Sequence, residues 1–154
     1  MGVSIEESVS KELLLIQELN DVLEQEQAHL LADDIESLQL NTQTKSQLVS
    51  KLTMANQKRL NGLTEYDLPK QETSMSIWLE KFADAKLKSL WQQLLDNTNK
   101  AKELNQTNGL LLNRLSARTQ NALAVLYGQS PASASLYGRD GQNATSTASR
   151  TIIS

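Results

Sequence analysis

Cysteine is absent from this chain, which excludes disulfides, thiolate chemistry and cysteine zinc sites. Histidine occurs once, as His29 beside Leu30 and Leu31, where a half-exposed helix residue is the ordinary reading. Aromatic residues make up 4% of the 154 positions, and there are two prolines and six glycines. So few large rings and turn formers describe long helices around a thin core. Apolar runs are short, such as the four residues from Leu13 to Ile16 and the six from Ala122 to Tyr127, far short of a membrane span or signal-peptide core. The amino terminus is acidic, through Glu6 and Glu7, where a signal peptide would be basic. A cytoplasmic protein is expected unless another system exports it.

Charge narrows the possibilities further. A net charge of −3 and a pI near 5.2 argue against a nucleic-acid partner, whose phosphates demand a basic face. No glycine-rich phosphate loop, nucleophile motif or supported carboxylate pair is present. Asp33 and Asp34 suit helix capping better than metal binding. The chain is therefore expected to be no enzyme and to need neither cofactor nor metal.

What the chain has is heptad-like spacing. Steps of alternately four and three from Leu87 reach Trp91, Leu94, Thr98, Ala101 and Asn105, then continue through Asn108, Leu112, Leu115, Thr119 and Ala122 to Leu126. This predicts one long helix with a coiled-coil-like seam. Thr98, Asn105, Asn108 and Thr119 make the seam impure, which suits a helix that fixes a register or takes up a partner. An ordinary bundle helix with tolerated polar layers fits the same pattern.

Residues 4–31 read as a first helix, with Ser4 as N-cap and Ile5, Val9, Ile16, Leu19, Leu23 and Leu30 inward. Glu12 and Glu26 are polar exceptions on that face. Asp33 followed by Glu36 resembles a capping box, so a second helix is predicted over 34–62, antiparallel to the first. A single kinked helix is the alternative. Ile35, Leu38, Leu48, Leu52, Ala55 and Leu63 point to its core face, with Lys45 alongside. Asn61-Gly62 reads as a stop, and Pro69 marks a loop over 62–73. A third helix is predicted over 74–127, ending at Gly128.

The fold class is thus all-α: an antiparallel hairpin packed on one long third helix, forming a bundle over residues 1–128. At 1.5 Å per residue the third helix would be about 80 Å long and each hairpin helix about 42 Å. Part of 105–127 must then project, bend back at Gly109, or find a partner. Leu104, Leu111, Leu115, Ala122 and Leu126 share one broad face there, as in a helix that docks another helix in a groove. Burial inside an oligomer would consume the same leucines. Residues 129–154 lose helical period and are expected to form a disordered tail carrying Leu136-Tyr137-Gly138.

Several of these segments together resemble the FlgN family of flagellar export chaperones. They are Leu104-Asn105-Gln106-x-Asn108-Gly109 with Leu111-Leu112, then Gln120-x-Ala122-Leu123-x-Val125-Leu126, and Leu136-Tyr137-Gly138-x-Asp140-Gly141-Gln142. The resemblance implies a cytoplasmic helical protein that binds the hook–filament junction proteins FlgK and FlgL before secretion. It implies that Leu104, Asn108, Leu111, Leu112, Leu115, Ala122 and Leu126 receive the client. The tail motif, Leu136, Tyr137, Gly138 and Asp140, would dock on the export-gate protein FlhA. A structural coiled-coil scaffold without a client is the competing expectation.

Overall fold

The computed structural model describes residues 4–128. The tail read from 129–154, with Leu136, Tyr137, Gly138 and Asp140, lies outside the described residues. Four α-helices follow in order: α1 (Ile5–Leu31), α2 (Ile35–Leu63), α3 (Ser74–Phe82) and α4 (Ala85–Leu126). A single 3-10 turn, Thr64–Tyr66, extends the end of α2. No strand occurs among the described residues.

Local chemistry sets the helix ends. Ser4 Oγ accepts from the Glu7 amide at 3.1 Å, as expected of an N-cap. The hairpin turn differs from the expected capping box by one residue. Asp33 takes the left-handed conformation at φ 54° and ends α1, while Asp34 caps α2 by accepting from the Ser37 amide at 3.2 Å. Two adjacent acids divide the work, because a left-handed residue closes one helix and a non-helical residue with a side-chain acceptor opens the next. The Ser37 hydrogen bonds hold the Asp34 carboxyl below its ordinary pKa. The hairpin is a true reversal, not a kink.

The predicted third helix is broken, which corrects the 74–127 expectation. Ala83 and Asp84 are extended, and Asp84 caps a new helix by accepting from the Leu87 amide at 2.8 Å. The break turns α3 across the base of the bundle, where Met75, Trp78 and Leu79 are buried. Trp78 also meets Tyr66 edge-on, with ring centroids 5.8 Å apart. The Asn61-Gly62 stop came slightly early as well: Gly62 is buried inside α2, and the chain reverses at Asp67, left-handed at φ 60°.

α1 is the central helix. It packs along both α2 and α4, while α2 and α4 make little direct contact with each other. All six inward positions expected on α1 are buried, as are Leu48, Ala55 and Leu63 of α2 and Leu87, Leu94 and Ala101 of α4. Ile35, by contrast, is half exposed. Asn20 Nδ2 donates to the Asn97 carbonyl at 3.0 Å, and Arg118 reaches Asp33 at 2.8 Å, so α4 ascends in the same direction as α1.

Two polar exceptions on α1 determine how the core closes. Glu12 is buried and receives Arg59 of α2 through Nε at 2.7 Å. Arg59 also donates to Glu72 at 2.8 Å and lies over the Trp91 ring, 4.8 Å from its centroid. Burial works against the Arg59 charge, but hydrogen bonds to Glu72 and Glu12 outweigh it and raise its pKa. Burial likewise opposes ionisation of Glu72, yet the bonds from Arg59 and Asn56 keep its pKa low. The network ties α1, α2, the loop and α4 together at the lower end of the molecule.

Candidate helix-docking surface

Because α2 and α4 flank α1 without closing on each other, a trough runs between them. Two cavities lie along it. The lower one, about 540 Å³, is lined by Ile16, Leu52, Arg59, Trp91, Leu94 and Thr98 among others. The upper one, about 400 Å³, has Glu26 and Leu30 of α1 as its floor. Leu38 and Val49 form its α2 wall, and Asn105, Gly109 and Leu112 its α4 wall.

The floor of the upper cavity is a compensated polar cluster. Lys45 Nζ donates to Glu26 Oε1 at 3.3 Å and to Asn105 Oδ1 at 2.8 Å, spanning the trough from α2 to α4. Asn108 Nδ2 donates to the same Glu26 oxygen at 2.8 Å and to the Leu23 carbonyl at 2.9 Å. Glu26 at a core position demands such partners, since an unpaired buried carboxylate is costly. Its place in the 4-3 spacing was the signal that a cation had to arrive from α2 or α4. Arg59, which answers Glu12 in the same way, went unrecognised in the sequence.

Above this cavity α4 loses cover. Its 42 residues make it about 63 Å long, against about 40 Å for the 27 of α1. Arg118 stands level with the hairpin turn through its bond to Asp33, so residues 119–126 extend about 12 Å beyond it. Helix α4 is continuous through Gly109, so the overhang projects and does not bend back. Val125 is 80% exposed, Leu126 78% and Tyr127 73%, with Leu123 nearly half exposed. Arg114 and Arg118 are the only charged residues after Glu103 on this helix.

The residues predicted to receive a partner fall into three settings. Leu104 packs against the core cluster, and Asn108 is 2% exposed with its amide nitrogen committed to α1. Leu111, Leu112 and Leu115 are half-buried, and Leu112 lines the upper cavity. Ala122 and Leu126 are open on the overhang. Pattern alone places Leu38 on the inward face of α2 but gives neither Val49 nor the wall the two form in the trough, because a helical period shows which residues share a face and not which second helix stands opposite.

The sequence of this chain has known relatives. The family model described as FlgN protein matches residues 1–145. The chain belongs to the FlgN family. Curated relatives named flagella synthesis protein FlgN agree over most of their length. The protein of Proteus mirabilis is 32% identical over 146 residues, covering 92% of this chain and 91% of its own. That of Escherichia coli K12 is 31% identical over 134 residues, covering 85% and 83%. That of Salmonella typhimurium is 30% identical over 135 residues, covering 86% and 84%. No solved structure matches. Among the described residues no helix is long and apolar enough to cross a membrane, and no cluster of metal-ligating side chains occurs.

Proposed function

We propose that this family member is a cytoplasmic export chaperone of the bacterial flagellum. It binds the hook–filament junction proteins FlgK and FlgL, prevents their premature assembly and delivers them to the export gate. The observation that carries this reading is the overhang of α4: an apolar helix end, uncovered where the hairpin stops. Exposed apolar surface of this kind marks an interaction site. The names of the relatives, which tie them to flagella synthesis, support the same direction.

In this reading Leu104, Leu111, Leu112, Leu115, Ala122 and Leu126 form the client-contact face. Asn108 holds α4 against Leu23 and Glu26 and so sets which face of the helix looks outward. Leu136, Tyr137, Gly138 and Asp140 are assigned to docking on FlhA, on a segment separate from the client face. Binding, not catalysis, is the activity.

Calorimetric titration of the full chain and of Tyr137→Ala against FlgK and against FlhA tests this division. The variant should bind FlgK with unchanged affinity and, once loaded, fail to associate with FlhA. Equal weakening towards both would place the tail in the client site. An obligate oligomer with no affinity for FlgK or FlgL would instead support the scaffold reading.

A further inference from the structure

We propose that the trough between α2 and α4 seats one helix of the secreted client, lying against Gly109 with an uncharged contact face. This rests on the chaperone reading and extends the client site from α4 onto α2.

Gly109 is the first observation. It is the only glycine of α4, at a position where glycine is the poorest helix former after proline. The helix runs straight through it, so it serves no break. It instead lines the upper cavity, facing a wall that includes Leu38 and Val49. A residue without Cβ at that place lets another backbone approach closely. Three helices whose outer pair stand apart over a central one also leave the position that a fourth helix fills in a bundle.

Charge decides what kind of helix fits. Both ionised groups lining this cavity, Glu26 and Lys45, are paired with each other at 3.3 Å. The other polar lining groups are hydroxyls and an amide pair: Thr42, Ser46, Ser50, Asn105 and Asn108. A charged side chain entering this neutral lining would be desolvated without a counterion, whereas an apolar stripe edged with amides and hydroxyls would not. Leu112 belongs both to the cavity and to the outer stripe of α4, so a helix seated at Gly109 continues along the overhang.

The test uses the full chain, with FlgK as the probe. Gly109→Leu fills the trough while improving helix propensity, and Val49→Glu places a charge on the opposite wall at an exposed position. Both variants should keep the wild-type melting temperature and lose at least about tenfold in affinity for FlgK. Wild-type affinity should change little between low and high salt, as an uncharged contact requires. Wild-type affinity in both variants, or steep salt dependence in the unsubstituted chain, would overturn the proposal. So would a rise in affinity, which would assign the trough to this chain's own tail, or a changed oligomeric mass, which would assign it to a second copy. Failure of the unsubstituted chain to bind FlgK at all would instead overturn the chaperone reading.

Discussion

The lower and upper halves of α4 carry the same 4-3 spacing and meet different fates. From Leu87 to Asn108 the seam is mostly buried, against α1 and beside the Arg59 network. From Gly109 to Leu126 the same spacing yields half-buried and then open residues. Composition does not explain the contrast, because the upper half is at least as rich in leucine. Length explains it: the hairpin ends at Asp33, and α4 does not. A heptad seam therefore states which side of a helix is adhesive, and the reach of its neighbours decides whether that side is core or site.

Substitutions in the lower half should be costly. The largest effect is expected for Arg59→Met, which leaves Glu12 buried without its cation and should cost about 3–5 kcal/mol in chemical denaturation. A loss below about 1 kcal/mol would mean that the lower half is not held by this network. Leu94→Ala should cost about 2–5 kcal/mol by the same measurement, as for other leucines truncated in a packed core.

Much of this division was legible beforehand, and the reasons it was incomplete are local. The inward face of α1 followed from spacing because a single helix packed on two sides shows a clean period. The overhang followed from arithmetic on helix lengths. The break at Ala83–Asp84 was missed because the apolar spacing runs on across it, and the cap is one aspartate. Leu38 is legible as an inward residue of α2, but the trough wall that it forms with Val49 acquires meaning only when α4 stands opposite. Glu12 and Glu26 stand out as exceptions and Lys45 lies beside the core face of α2, but its pairing with Glu26, 19 residues away, and the whole role of Arg59, 47 residues from Glu12, are beyond the reach of local pattern.

Acid should weaken the lower half through Glu72. Its folded pKa lies below the ordinary 4.5, so the unfolded chain takes up the proton first as pH falls. The stability from its contact with Arg59 is therefore fully present above about pH 4.5 and is lost as pH drops towards the folded pKa. Glu72 is half exposed, so the contribution is screened and should stay under about 1 kcal/mol. Comparing denaturation of the wild type and Glu72→Gln across this range checks it: the gap between them should close in acid, and a constant gap would refute the linkage.

The smallest stability effect should come from the upper half. Val125→Ala and Leu126→Ala should each fall within about 0.5 kcal/mol of wild type, since both side chains are already in water. Losses comparable to that of Leu94→Ala would show the overhang packed against something, and the contrast between the halves would vanish.

The claim that the upper half of α4 is a surface held open for a client is tested most directly by Leu126→Asp in the full chain. Calorimetric titration with FlgK and thermal circular dichroism would be run on the same samples. The account predicts an affinity loss of at least about tenfold with helicity and melting temperature unchanged, because a charge enters a contact that exists only in the complex. Unchanged affinity, or lost binding accompanied by lost helix, would contradict it.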